Sequence, residues 1–253
     1  MDDMQTIDRA MAIIRILSAS TMEEGRSITE LAKQCGLPLG TLHRLLKSLA
    51  NHGLVEQDEQ SKRYSLGTLW LEYGLNMYDK MDYISIIKPE LDRLAHEVKE
   101  SVYLSRPLAV ESIIIERINS EDNPIRVHDP LGIRIPMHIG AANKAMLASM
   151  AHSKSLSILK QLLPSEEIPA LLEQLKQIRK QGYAVSHGER TEGTSSIAVA
   201  ILNGLGEIAG AISIGLPQHI YDQSNDERLA FLTGSLIKTG KDASAKIGYK
   251  GRL

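Results

Sequence analysis

The run Ser27-Ile28-Thr29-Glu30-Leu31-Ala32-Lys33-Gln34-Cys35-Gly36-Leu37-Pro38, continuing through Thr41-Leu42-His43-Arg44-Leu45-Leu46-Lys47-Ser48-Leu49, decides the fold. Ser27 followed by Glu30 is a capping box, in which each side chain accepts from the other residue's backbone amide. Ile28, Leu31, Ala32 and Cys35 form the apolar face of a short helix, and Gly36 suits the left-handed position that ends it. Pro38 opens a further helix in the first turn, where proline is tolerated, and Gly53 ends it after about His52. At about 100° per residue Leu42, Leu45, Leu46 and Leu49 fall on one side. Burying each is worth about 1.5–3 kcal/mol, which fixes the inward face. The outward face carries Gly40, Arg44, Lys47 and Asn51, flanked by Thr41, His43 and Ser48, with no acid among them. Two helices joined by a short glycine-proline turn, the second cationic outward, predict a helix-turn-helix.

The flanking sequence agrees. Ile7, Met11, Ile14 and Leu17 make one apolar stripe on a preceding helix. After Gly53, Leu54-Val55-Glu56-Gln57 and Arg63-Tyr64-Ser65-Leu66 flank a polar turn from Asp58 to Lys62. This is a hairpin, the wing of a winged helix, from which Lys62 and Arg63 reach phosphate. Gly67 to Lys80 reads as a helix carrying Leu69, Leu71, Tyr73, Leu75 and Tyr78, more apolar than a free linker.

Composition bounds the alternatives. The 253 residues are 43% hydrophobic and 24% charged, a globular balance with room for two domains. No stretch approaches the roughly 18 apolar residues of a membrane span. The polar, acidic start at Met1-Asp2-Asp3 lacks the pattern of a secretory signal. The single Cys35 excludes an intrachain disulfide and Cys-Cys metal sites, and the eight histidines show no spacing that converges on a metal. A cytoplasmic protein without cofactor is expected. Residues 1–80 hold nine Lys and Arg against eleven Asp and Glu. The case for DNA therefore rests on the order and spacing of the motifs, not on net charge.

From about residue 84 strands and helices mix as in an α+β domain. Ser101 to Ser105, Ala109 to Ile118 and Ile125 to Val127 read as strands, and Asp129-Pro130-Leu131-Gly132 as a turn. Pro136 to Ala142 leads into a helix through about Ala151, with small residues at Gly140, Ala141 and Ala142. Outward amides at such a helix start hold a carboxylate without a basic side chain. Leu171, Leu172, Leu175 and Ile178 stripe another helix that Gly182 ends. Asn203-Gly204-Leu205-Gly206 is a hairpin between buried strands carrying Ser196 and Ser213, whose hydroxyls need partners. Ser224 and Glu227 form a second capping box, for a last helix through about residue 247.

Gln5-Thr6-Ile7-Asp8-Arg9-Ala10, Leu31-Ala32 through Gly36-Leu37-Pro38, Thr41 to Leu46, and Tyr64-Ser65-Leu66-Gly67 resemble the IclR family of bacterial transcriptional regulators. Gly182-Tyr183-Ala184, Ser196-Ile197-Ala198 and Gly210 to Ile214 resemble that family's effector-binding domain. The resemblance implies a winged helix-turn-helix at 1–66, a linker helix at 67–83 and a GAF-like effector-binding and oligomerisation domain at 84–253. It implies a homodimer or homotetramer on a palindromic double-stranded DNA operator, repressing a catabolic operon under a small metabolite. DNA contacts then fall on Thr41, His43, Arg44, Lys47, Lys62 and Arg63. Effector contacts carried over by motif fall on Ala141 and Ala142 at the helix start, Ser196, Ser213 and Gly215 on strands, and Ser186 and Thr194 between them. Val127 and Ile135 form the apolar wall. The chain has Ser186 where an acid is frequent in the family, Ser196 where cysteine is, and Gly215 where serine is.

An enzyme reading is weaker. Gly204 to Gly210 misses the dinucleotide spacing and precedes a strand. His187-Gly188-Glu189 lacks the cysteine pair of a zinc deaminase. A hydrolase-like use of Ser195 or Ser196 with His187 lacks a nucleophile elbow. A purely protein-binding role fits the apolar Trp70, Leu71 and Leu75, which equally suit self-association or, for Trp70, core packing.

Overall fold

The capping box closes as the sequence requires: the Glu30 amide donates to Ser27 Oγ at 3.3 Å and the Ser27 amide to Glu30 Oε2 at 2.7 Å. The computed structural model describes residues 2–19, 25–119 and 127–251, with side chains from Thr6 onward. They form two compact units, Met1–Met81 and Asp82–Leu253.

In the first unit, α1 (Asp2–Ser18), α2 (Ile28–Cys35) and α3 (Leu39–Asn51) precede a hairpin of β1 (Val55–Gln57) and β2 (Tyr64–Leu66). Gly36 turns the chain between α2 and α3 with φ of 63°. Leu31, Leu42, Leu46 and Leu49 are buried against Ile13, Ile14 and Leu17, with Leu45 partly buried beside them. Pro38 caps α3 rather than lying inside it, a one-residue difference in where its first turn begins. The stripe read on α1 divides. Ile14 and Leu17 join the core with Ile13, but Ile7 is 66% exposed and Met11 37%. The start of α1 thus projects past the small core, leaving those two side chains uncovered. Arg26 bridges Tyr64 antiparallel, which ties the wing back to the segment before α2. Trp70 lies on α4 (Leu69–Asp79) and donates from Nε1 to the Leu54 carbonyl at 2.8 Å. It packs on the winged-helix core, so of its two readings core packing holds.

The second unit begins with α5 (Asp82–Val98), β3 (Ser101–Leu108), β4 (Glu111–Ile118) and β5 (Arg134–Pro136). Next come α6 (Ala141–Ser149), α7 (His152–Leu162), α8 (Ile168–Gln181) and β6 (Ala184–His187). The chain ends with β7 (Thr194–Leu202), β8 (Ile208–Pro217), α9 (Gln218–Gln223) and α10 (Asp226–Lys246). Its strands make one antiparallel sheet in the order β5-β4-β3-β8-β7-β6. Opposite partners share a face, so Ser186, Ser196 and Gly215 form one row, and Ala198, Ser213 and Tyr103 the next. α6 covers this face, packing Ala141, Ala145 and Met146 on Ala198 and Ala211, with Ile178 of α8 behind. Gly240 of α10 meets Val199, which points the opposite way, so α10 covers the other face.

Three sequence expectations change here. Ile125 and Arg126 lie outside the described residues, and Val127 is not in a strand; the described edge strand is β5, which begins seven residues after Val127. Asn225, not Ser224, caps α10: its side chain accepts from the Arg228 amide at 2.8 Å, while Ser224 Oγ donates back to Ile220. Both residues are good caps, and one step of chain decides between them. The helix expected from Gly67 to Lys80 is the shorter α4. No helix among the described residues is long and apolar enough to cross a membrane.

Candidate functional site

Burial of the α3 leucines leaves His43, Arg44, Lys47 and Ser48 exposed and Thr41 half-buried. Among the described residues no hydrogen bond or ion pair engages the side chains of His43, Arg44 or Lys47. The wing tip is built around Asp58, whose Oδ1 accepts from the Ser61 amide and hydroxyl, both at 2.7 Å, and from the Gln60 amide. These bonds, the Ser61 amide foremost, hold the Asp58 carboxyl below its usual range, and the nearby Lys62 charge adds to this. Lys62 is exposed at this tip. Arg63 turns the other way. Its Nη2 pairs with Glu30 Oε2 at 3.0 Å and reaches the Gly25 carbonyl at 3.4 Å. In the absence of DNA Glu30 supplies an anion to Arg63, which braces the wing against the start of α2, and both side chains remain partly exposed.

The second unit holds a cavity of about 70 Å³ between the sheet and the start of α6. Val127, Ile135, Ala141, Ala142 and Ser186 line it. So do Thr194, Ser196, Ser213 and Gly215, so all nine positions carried over by motif come together. Gly215 is glycine for a local reason: a Cβ there would lie 3.0 Å from Tyr103 Cε2. The Tyr103 hydroxyl donates to the Val127 carbonyl, and burial, then the Asp129 charge, pushes its ionisation up.

The amides at the start of α6 are already engaged. The Gly140 amide donates to Glu189 Oε2 at 2.8 Å, and the Ala141 amide to Ser186 Oγ at 3.1 Å. Ser186 Oγ also lies 3.0 Å from Ser196 Oγ. Glu189 Oε1 pairs with Lys144, whose side chain is almost fully buried. A carboxylate does sit at this helix start, as the dipole favours, but it is the chain's own. The segment bearing Glu189 runs between Gly188 and Gly193, both with positive φ, and Arg190 beside it pairs with Asp129.

Sequence reading did not single out Glu189, Lys144, Arg190, Asn143, Ser105 or Ser112 for this cavity. Ser105 and Ser112 lie on apolar strands just as Ser196 and Ser213 do, and the same signal would have found them. Glu189 and Lys144 are 45 positions apart and met only through the fold. His187 Nδ1 lies 2.9 Å from Ser195 Oγ, the pair considered for hydrolysis. Ser195 is buried, and the His187 ring packs edge-on against Tyr221.

Known proteins match this architecture. The model of the bacterial transcriptional regulator IclR C-terminal domain matches residues 75–245, and that of the IclR helix-turn-helix domain residues 6–59. The HTH-type transcriptional repressor AllR of Escherichia coli strain K12 is 30% identical over 254 residues, 97% of this chain and 91% of its own. The HTH-type transcriptional regulator KipR of Bacillus subtilis strain 168 is 28% identical over 252 residues, 97% of this chain and 98% of its own. The IclR transcriptional regulator of Alicyclobacillus acidocaldarius superposes with a TM-score of 0.78 at 24% identity, covering 96% of this chain and 99% of that one. Thermotoga maritima IclR gives 0.76 at 22%, covering 97% and 100%. These two show the shared two-domain fold. With both domain models matched in order along nearly the whole length, the chain belongs to the IclR family of DNA-binding transcriptional regulators and is not an enzyme.

Proposed function

We propose that this chain is a repressor of a catabolic operon, released or tightened by a small carboxylate. The recognition helix α3 enters the major groove of a palindromic operator with Thr41, His43, Arg44 and Lys47 nearest the bases or phosphates. Lys62 and Arg63 reach the DNA backbone from the wing, which the Arg63–Glu30 pair also braces. One observation carries this reading: Arg44 and Lys47 stand exposed and without an ion pair among the described residues, on a helix bearing no acid. AllR and KipR, named a repressor and a regulator, support the direction of control and its class.

A two-fold operator calls for two copies. Ile7 on α1 and Leu71 and Leu75 on α4 are uncovered apolar side chains, which supports a homodimer or homotetramer built partly through these helices. The effector enters the cavity among the nine carried-over positions. Its acid competes with Glu189 for the Gly140 amide and Lys144, and freeing the 188–193 segment changes the state of the domain. A coupling of about 1–3 kcal/mol changes operator affinity by 5- to 150-fold.

Binding of the full chain to duplexes from the region upstream of its own gene tests this. Affinity falls steeply with salt, and Arg44→Ala weakens specific binding by about 1–3 kcal/mol with unfolding unchanged. Salt-independent binding, or wild-type affinity in Arg44→Ala, counts against the reading.

A further inference from the structure

Two polar atoms of the cavity wall lack a hydrogen-bond partner among the described residues: Ser112 Oγ on β4 and Asn143 Oδ1 in the first turn of α6. Each residue is 1% exposed. The orientation of the Asn143 amide is fixed by its surroundings. Its Nδ2 lies 3.0 Å from the Pro136 and Ile139 carbonyls and 3.3 Å from that of Ile135. Turning the amide over would set its oxygen against three carbonyl oxygens, so Oδ1 stays as the atom without a partner. An amide oxygen only accepts, so it calls for a donor. Ser112 sits opposite Ile135 in the β4–β5 pair, and Ile135 is one of the residues whose carbonyl Asn143 binds. The two unpartnered groups thus flank one residue of the cavity wall. Asn143 is also only three residues beyond Gly140, whose amide donates to the Glu189 carboxylate.

We infer that the effector carries a hydroxyl or N–H beside its acid group, donated to Asn143 Oδ1 and met by the Ser112 hydroxyl. This rests on the cavity being the effector site. A site lined by unpaired buried polar groups discriminates strongly against an isostere lacking the matching group, since that ligand leaves them dry. The ligand class is a small hydroxy or amido acid rather than a simple alkanoate.

Isosteric pairs differing only by hydroxyl against methyl test this on the full chain by calorimetry: glycolate with propionate, and lactate with isobutyrate. The hydroxy acid of a pair binds about tenfold tighter or better. In Ser112→Ala the ratio falls but stays above one, since Asn143 Oδ1 still calls for a donor, while the ligand-free melting temperature holds or rises, because an unpaired buried hydroxyl has been removed. Equal binding within both pairs overturns the inference and leaves the site standing. A preference left undiminished in Ser112→Ala overturns it as well, and so does a drop in the ligand-free melting temperature, which shows a hydroxyl already satisfied without ligand. Heat from none of the four acids overturns the effector site and this inference with it.

Discussion

Glu189 shows how much of this protein's behaviour is set by single side chains. Its carboxylate occupies the Gly140 amide and neutralises Lys144, whose ammonium is nearly buried. Removing one partner of such a pair leaves a costly uncompensated charge. In Glu189→Gln the ligand-free protein therefore melts at a lower temperature. The same change removes the competing negative charge, so glycolate binds about tenfold tighter, or 1.4 kcal/mol. Calorimetry together with thermal unfolding checks the two opposite signs; unchanged or weaker acid binding would sink the competition between Glu189 and ligand. Residue types foretold the small positions at Gly140 to Ala142 and the serines on buried strands. They did not foretell Glu189, Asn143 or the pairing of Arg63 with Glu30. Each of those depends on a partner that local spacing does not set: Glu30 is 33 positions from Arg63, and the Asn143 amide answers carbonyls of an irregular approach to α6.

At the scale of elements, the winged helix was the most legible part of the chain. Its signals are local: a capping box, a leucine stripe, a glycine turn and a charged hairpin. Short or irregular elements were less so. β5 has three residues, too few for alternation to register, and α7 lies in a polar stretch with no strong stripe. The junction between hairpin and α4 carries a prediction. A Cβ on Gly67 would lie 2.0 Å from the Gly53 carbonyl oxygen and 3.0 Å from the Val55 amide nitrogen. Both atoms are backbone and cannot step aside as a side chain does. Gly67→Ala is expected to cost the first unit about 1–3 kcal/mol or more. Operator binding falls in a gel-shift titration, while glycolate binding by the second unit stays at the wild-type value. Normal operator affinity in this variant would show that the hairpin tolerates the shift.

For the whole molecule, the two units have different tasks, and the sequence marked both by a change of texture near residue 84. The first unit carries a run of uncovered apolar side chains on α4. Leu71 is 64% exposed and Leu75 58%, on a helix none of whose residues is buried. Leu71→Glu with Leu75→Glu places two charges on this face without touching the core. Sedimentation is expected to show a smaller assembly, and operator affinity falls with it, because two half-sites are no longer engaged by one particle. An unchanged mass with full affinity would move the contact between copies elsewhere. The self-supplied acid of the second unit has a wider consequence. Under the proposed exchange of Glu189 for the effector's acid, the metabolite level that trips the response is an exchange ratio rather than an absolute affinity. Substitutions in the 188–193 segment can then reset that threshold over generations while every atom that recognises the metabolite stays as it is.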